Sequence, residues 1–390
     1  MKVLMTDGHT LHALAAIRGL GKAGHEVIVA IPASKMNTVV RPLAMQSKYC
    51  KNSQRLKADD FNYDLKSDSW QARLQKLIEQ NNIGCLMPLK GDTFSKIIMS
   101  GFDKGCNIKS LLPSKEAFEI AYDKKKSFEW LAQNGFPIPK SNIMKLINDN
   151  YPLIVIKPTV AQGSKGLKYV RPAHYFTDHS DQYNYFDGNH IFQEYIPGEN
   201  YGFFAIYREG KLHSHFMHKR IRQYPITGGP SACAMSVKEP GLLDIGRQVF
   251  DRLDWNGVGM VECVRDNRTG EFKIIEINPK FWGSLDLAIH AGVNFPDLYC
   301  RLANGENVRP VTSYREITFR WLFPNDFMHM LAKFGFSAGF WKDFFGDVKT
   351  DIEISDLFPN LLQPFYALGF FARYGIHWRY PNGKIPKITG

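Results

Sequence analysis

Two hydrophobic periods run through this chain, and the places where one gives way to the other divide it. Val3–Asp7 is a short apolar run, Leu11 to Lys22 repeats at helical spacing with one apolar face, and Glu26–Ile31 is again strand-like. That β-α-β opening predicts a parallel sheet. The pattern continues with a helix around Trp70–Asn81, a strand over Ile83–Pro88, a helix after Gly91-Asp92 and a last strand over Ile108–Leu112. Leu112-Pro113-Ser114 marks a domain border, with Ser114 placed to cap the next helix. Beyond it the texture changes. Lys115–Asn134 reads as one helix, followed by strands over Leu153–Lys157 and Leu167–Val170, a strand end near Gln193-Glu194, and alternating strands over Tyr201–Tyr207 and Lys211–Arg220. A helix over about Gly241–Leu253 leads into the two strands on which the rest depends.

Those strands are Gly257–Val264 and Phe272–Asn278, joined by the turn-like Asp266-Asn267-Arg268-Thr269-Gly270, so they predict a hairpin. Glu276 and Asn278 stand two apart and therefore share a face, and Pro279, which has no N–H to give, ends the ladder. Glu262 on the partner strand is in position to face them. Two carboxylates and a carboxamide on stiff strands suit Mg²⁺, whose remaining positions are filled by phosphate and water. Two core strands with solvated acids would give the same letters.

Composition narrows the chemistry. A formal charge of +11 and a pI near 9.2 favour anionic partners, but the basic residues are spread along the chain and no nucleic-acid motif is present, so a polyanionic small ligand is the more economical expectation. The six cysteines form no C-x-x-C pair or Cys/His cluster, which argues against a zinc site or a disulfide framework and fits a reducing cytosol. The N-terminus turns polar too soon for a signal peptide, and no apolar run approaches the length of a spanning helix. Gly19-Leu20-Gly21-Lys22-Ala23-Gly24 matches G-x-G-x-x-G, but it falls at the far end of the first helix, where its amides cannot cradle a pyrophosphate; a nicotinamide or flavin site is excluded on that ground.

Several cationic and glycine-bearing segments are candidates for phosphate. Lys157 ends a strand before Pro158, and the loop Gly163-Ser164-Lys165-Gly166 follows, with spacing unlike a Walker A loop. Lys124, Lys125 and Lys126 form a charge run that matters only in company. Glu194-Tyr195-Ile196-Pro197-Gly198-Glu199 offers main-chain groups, apolar flanks and acids of the kind a purine nucleoside needs. His218-Lys219-Arg220-Ile221-Arg222 puts Lys219 and Arg222, or His218, Arg220 and Arg222, on one strand face. After about Pro310 the chain is rich in Phe, Trp and basic residues; packing on the main body is the plainer reading, a membrane- or partner-facing surface the sharper one.

The order of these pieces resembles the ATP-grasp superfamily, and within it the carboxylate–amine ligase branch: a strand-ending Lys-Pro, a Gly/Ser loop, Gln-Glu-Tyr-Ile-x-Gly-Glu, an Arg-bearing strand, Thr227-Gly228-Gly229-Pro230-Ser231, Val-Glu, and Glu-Ile-Asn-Pro-x-Phe-Trp-Gly-Ser. The resemblance implies an α/β and α+β fold: a Rossmann-like parallel sheet over residues 1–112, a two-lobed ATP-grasp body over 113–308 (113–190 and 191–308), and an aromatic-rich, mainly helical extension over 309–390. By the same resemblance Lys124 and Lys157 hold the ATP phosphates under a lid at Gly163, Ser164, Lys165 and Gly166. Glu194, Tyr195 and Ile196 meet adenine, and Glu199 meets the ribose. Glu262, Glu276 and Asn278 carry one or two Mg²⁺, with Mn²⁺ as a substitute. Arg222, and less directly Arg220, stabilises the transferring phosphoryl group. The implied activity joins a small-molecule carboxylate to an amine in the cytoplasm, with a peripheral membrane or protein contact through the extension and a homodimer among the arrangements allowed. Attachment of an amino acid to a sugar acid for surface polysaccharide, and a non-catalytic nucleotide-binding regulator, are the alternatives.

Overall fold

The computed structural model describes residues 1–32, 42–51, 62–63, 69–149, 151–161, 166–171, 188–333, 338–375 and 378–380. The chain opens as its periodicity predicts. Strand β1 (Lys2–Met5), helix α1 (Leu11–Lys22) and strand β2 (Glu26–Val29) form a βαβ unit. After the short parallel pair β3 (Ile31–Pro32) and β4 (Asn62–Tyr63), helix α2 (Trp70–Asn81) and strand β5 (Cys85–Met87) complete a parallel sheet of order β2-β1-β5. Gly19 and Gly21 lie in the last turns of α1, away from any strand-to-helix junction, which agrees with excluding a dinucleotide fingerprint. The strand expected over Ile108–Leu112 is reduced to one bridge, Cys85 to Lys109; the Leu111 amide donates instead to the Tyr299 hydroxyl at 3.0 Å.

Helix α3 (Gly91–Ser100) and a further turn of helix, α4 (Phe102–Gly105), precede the border. The single helix expected over Lys115–Asn134 is two, α5 (Lys115–Tyr122) and α6 (Lys124–Gln133). Asp123 leaves the helical region, with φ −92° and ψ 115°, and its carboxylate caps α6 by accepting from the Lys125 and Lys126 amides. Its short acceptor side chain competes with helix continuation, so the break falls where the sequence places an Asp. Ser114 caps α5 through the Ala117 amide, as expected. Helix α7 (Ile143–Asn148) then leads into a small antiparallel sheet, β7-β6-β8, built from β6 (Ile154–Pro158), β7 (Lys168–Val170) and β8 (His190–Glu194).

The main sheet runs β13-β12-β9-β10-β11-β14-β15. Its members are β9 (Gly198–Arg208), β10 (Lys211–Gln223), β11 (Ser231–Ser236), β12 (Gly257–Asp266), β13 (Phe272–Asn278), β14 (Thr318–Arg320) and β15 (Lys349–Thr350). Strand β9 is buried on both faces. Phe204 and Ile206 join the core shared with the N-terminal sheet, whereas Phe203, Ala205 and Tyr207 pack under the helix Pro240–Arg252. That two-sided burial explains its continuous apolar run, Phe203 to Tyr207, better than alternation does. Gly246 of the covering helix lies so close to the Phe203 ring that an added Cβ would stand 2.2 Å from it.

The region after 308 is more than a helical appendage. It contributes β14, antiparallel to β11, and β15, parallel to β14, besides helices over Phe327–Ala332, Ala338–Phe344 and Phe358–Tyr374. It also clasps the N-terminal domain. Arg18 of α1 donates to Asp356 Oδ2 at 2.9 Å, to the Asp351 carbonyl at 2.9 Å and to Asn360 Oδ1 at 2.8 Å. The aromatics divide: Phe319, Trp321 and Phe340 are buried, while Trp341, Phe344, Phe345, Phe358 and Phe365 are exposed. Among the described residues no helix is long and apolar enough to cross a membrane.

Candidate active site

The hairpin predicted from sequence is β12–β13, and its register sets Glu262 directly opposite Glu276 and Met260 opposite Asn278. A register irregularity between Glu262 and Cys263 leaves Ile275 out of the Cα pairing. Glu262, Glu276 and Asn278 all line one cavity of about 630 Å³, bounded by the small sheet, the main sheet and the start of α1.

Four cationic side chains converge on the hairpin. Lys124 Nζ lies 3.2 Å from Glu276 Oε1 and donates to the Ala161 carbonyl at 2.8 Å. The break at Asp123 puts it there: Lys124 is the first residue of α6, and its amide is tied to the Thr159 carbonyl at 2.9 Å. Of the three lysines in the run, Lys125 is exposed and Lys126 pairs with Glu119 at 3.0 Å, so Lys124 is the one turned inward. Lys157, on β6, donates to the Ile275 carbonyl at 3.2 Å. Burial pulls its pKa down to about 8; Glu276 opposes that shift and Lys124 adds to it. Arg220 Nη2 donates to Glu262 Oε1 at 2.8 Å. Lys280, two residues beyond Asn278, also lines the cavity.

Two of the residues put forward from sequence stand elsewhere. Arg222 does not line the cavity. It donates bidentately to Asp326 at 2.7 and 3.0 Å and reaches Asp343 at 2.7 Å, within the buried seam formed by the C-terminal region. The expectation that Arg220 and Arg222 share a face fails because the β10–β11 register shifts between them, and a bulge re-aims the side chains that follow it. Glu199 is likewise off the cavity. Its neighbours Gly198 and Asn200 line it, so Glu199 takes the other face of β9 and pairs with Lys219 at 2.7 Å.

Glu194, Tyr195 and Ile196 do line the cavity. The Glu194 carboxylate accepts from the Lys140 amide at 3.1 Å, and the Tyr195 ring meets Tyr169 edge-on with centroids 5.8 Å apart. Gly163, Ser164 and Lys165 lie outside the described residues. Gly166 is described, with φ +74°, a left-handed conformation that glycine accepts without a Cβ penalty. Trp282, Gly283 and Ser284 line the cavity; the Trp282 ring also packs on Phe204, with centroids 4.5 Å apart. Sequence reasoning missed Lys280, Tyr169, Gln193 and the His9–His12 stretch. The two-residue step from Asn278 was the signal available for Lys280; the others are brought in by tertiary packing.

Among the described residues no three His, Cys, Asp or Glu side chains converge as a ready-made metal cluster. The set that does converge is two carboxylates and a carboxamide, each carboxylate answered by a cationic side chain. Hard oxygen donors already compensated by positive charge fit a divalent ion that brings phosphate oxygens with it.

Comparison with known proteins gives an independent view of the fold that carries this cavity. Residues 121–284 match the family model described as ATP-grasp domain. The fold resembles the biotin carboxylase domain of Hydrogenobacter thermophilus 2-oxoglutarate carboxylase, a domain dimer in complex with MgADP, ADP and bicarbonate, with a TM-score of 0.60, 15% identity and coverage of 81% of this chain and 72% of that one. It also resembles N5-carboxyaminoimidazole synthetase from Staphylococcus aureus, with a TM-score of 0.61, 14% identity and 86% of each chain covered. L-amino acid ligase from Bacillus licheniformis aligns with a TM-score of 0.56 at 16% identity, over 80% of this chain and 77% of that one. At these identities the likeness is one of fold. No curated protein matches the sequence.

Proposed function

We propose that this chain is an ATP- and Mg²⁺-dependent ligase that activates a carboxylate as an acyl phosphate and passes the acyl group to an amine, forming an amide or peptide bond. The observation that carries the reading is the facing pair Glu262 and Glu276 with Lys124, Lys157 and Arg220 converging on one cavity. Among the similar folds, an amino acid ligase and a carboxylase domain with bound MgADP and bicarbonate support the same class of chemistry.

A carboxylate resists an amine because its leaving group would be oxide. Its oxygen attacks the γ-phosphorus of ATP, the bridging P–O bond breaks, and ADP leaves with the electron pair. The amine then attacks the acyl carbon, the C–O bond breaks, phosphate departs and the nitrogen loses a proton. Lys124 and Lys157 would hold the phosphate chain, and Arg220, freed from Glu262, would lie against the charge that develops during transfer. Glu262, Glu276 and Asn278 would hold Mg²⁺, which when bound supplies charge neutralisation on the phosphate oxygens. Tyr195 and Ile196, with the Tyr169 ring, give the apolar flank a purine needs. Exclusion of bulk water while the acyl phosphate exists would protect it from hydrolysis.

The test is ADP formation with panels of carboxylates, sugar acids included, and amines, with coupled products detected by mass spectrometry and Glu276→Gln as the control. ADP release that needs both a carboxylate and an amine supports the ligase. Nucleotide binding without turnover for any pair, in a protein whose behaviour is indifferent to Glu276→Gln, would make it a regulator instead.

A further inference from the structure

The last helix, Phe358–Tyr374, is turned the wrong way round for a helix packed on a core. Phe358, Leu361, Phe365 and Leu368 recur at steps of three and four, so they form one stripe. Each of the four is more than half exposed, and Ile354, in the turn that leads into the helix, is 89% exposed. Of the large apolar side chains described on this helix, only Leu362 packs towards the core. Polar side chains hold the other face down. Asn360 donates to the Asp351 carbonyl at 2.9 Å and accepts from Arg18 at 2.8 Å, and Gln363 donates to Asp351 Oδ2 at 2.6 Å. The helix is thus tied to the body by hydrogen bonds and leaves an apolar ridge of about 15 Å in water. Single apolar residues on a surface are ordinary, but a contiguous stripe marks a contact.

The charge of the same segment decides what covers it. No Asp or Glu follows Asp356 in the sequence, whereas Arg373, Arg379, Lys384 and Lys387 do. The acids just before it are answered within the protein: Asp343 by Arg222 at 2.7 Å, Asp347 by Lys349 at 3.0 Å, Glu353 by Lys22 at 2.6 Å and Asp356 by Arg18 at 2.9 Å. Asp351 is buried. The helix Ala338–Phe344 repeats the arrangement on a smaller scale. Phe340 lies against Arg320 and Asp343 bonds Arg222, while Trp341, Phe344 and Phe345 are exposed. Lys342, beside them in the sequence, is exposed and makes no ion pair among the described residues. A second copy of the chain would bring the same acid-free, positively charged segment to the contact, and like charges oppose that pairing. An anionic surface is attracted to it.

We infer that the stripe on the last helix is a docking surface for an anionic lipid bilayer. Phe358, Leu361, Phe365 and Leu368 enter the boundary between headgroups and acyl chains, and the surplus positive charge of the segment draws acidic headgroups. No described helix is long and apolar enough to cross a membrane, so the helix lies on the bilayer. The docking surface concerns where the protein sits and is independent of the ligase reading.

Flotation of the full chain with vesicles tests this, using phosphatidylcholine alone and phosphatidylcholine with about 30% phosphatidylglycerol. The expected result is partitioning about tenfold or more stronger onto the anionic vesicles, weakened by added salt. Leu361→Glu and Phe365→Glu, both at exposed positions, each reduce it about tenfold or more. Met144→Glu, an equal change of charge at an exposed apolar position on α7, leaves it nearly unchanged. Amide exchange of the unaltered protein gives a reading that needs no variant: residues 354–368 are slowed by anionic vesicles and not by neutral ones. No binding, equal binding to both compositions, binding that survives both stripe substitutions, or protection confined to other segments overturns the proposal. A dimer in sedimentation velocity that the same substitutions dissociate, without vesicle binding, gives the face to a second copy and overturns it as well.

Discussion

The molecule holds two clusters of arginine and carboxylate with nearly the same ingredients and opposite character. In the seam between the main sheet and the C-terminal region, Arg222 and Arg320 share Asp326, Arg222 also holds Asp343, and the Arg320 guanidinium lies 4.2 Å from the centroid of the Phe340 ring. Asp326 and Arg320 are essentially sealed, at 0% and 1% exposure. Burial opposes the charge of Arg222, but its bonds to Asp326 outweigh that and keep its pKa above the ordinary value. On the hairpin, Glu262 and Glu276 each meet a cation, yet the pairs line a cavity and the Glu276 side chain is 26% exposed. The first cluster is sealed from solvent, although the buried Arg320 Nη2 has no hydrogen-bond partner among the described residues; the second is compensated but open. Pairing of charge is common to structure and function, and what separates them here is whether a third party has room to enter.

The widest break between the two clusters is expected from Glu276→Gln. With the charge gone and the shape kept, ADP formation falls by about 10³-fold or more while the melting temperature stays close to that of the parent. The two arginines sharpen the contrast next. Arg222→Met leaves Asp326 with Arg320 alone and removes the ion pair of Asp343, and costs about 3 kcal/mol of stability in chemical denaturation. Arg220→Met leaves the midpoint nearly unchanged and lowers turnover by about 10²-fold. If the two variants behave alike, the distinction between sealed and open clusters is wrong.

A smaller effect is tied to pH. Asp351, buried in the C-terminal seam, has its pKa raised to about 7 from 3.8 by burial first and by the nearby Asp286 second. The native state therefore keeps a proton that the unfolded chain releases above pH 4, so this residue's contribution to stability is full below pH 4, is lost progressively up to pH 7 and changes no further above that. Asp351→Asn should accordingly stabilise the protein at pH 8 by on the order of 1–3 kcal/mol relative to its effect at pH 4. Melting curves of both proteins across that range measure it. The smallest effect is expected at Asp123→Ala, which removes the cap of α6: about 1 kcal/mol in stability and a several-fold weaker affinity for ATP, since Lys124 begins that helix.

How much of this was legible in the letters depends on how local the cause was. The β12–β13 hairpin could be read because its two apolar runs flank a short turn, but the register set at that turn would place Glu262 opposite Ile275; the irregularity after Glu262 brings it opposite Glu276. The β-α-β opening and the misplacement of its glycines followed from short-range periodicity in the same way. Arg222 was misjudged for a reason the sequence does not carry: the bulge after Arg220 arises from pairing with β11. Glu199 was one residue out of step, because where β9 begins decides which side chains face inward. The break at Asp123 was readable in principle from a capping residue inside a helical stretch, yet the helical period on either side hides it. The added strands β14 and β15 could not be foreseen from runs of three and two residues, the first pairing with a strand more than eighty positions away and the second pairing only with the first.

Those added strands bear on anyone who would trim the chain. Ending it at 308, the boundary expected from the sequence, would strip β11 of its outer neighbour and leave Arg18 and Arg222 without their acceptors. A bare strand edge beside stranded guanidinium groups invites self-association. Such a fragment is expected to precipitate rather than report on catalysis, so the natural unit for expression includes the aromatic region.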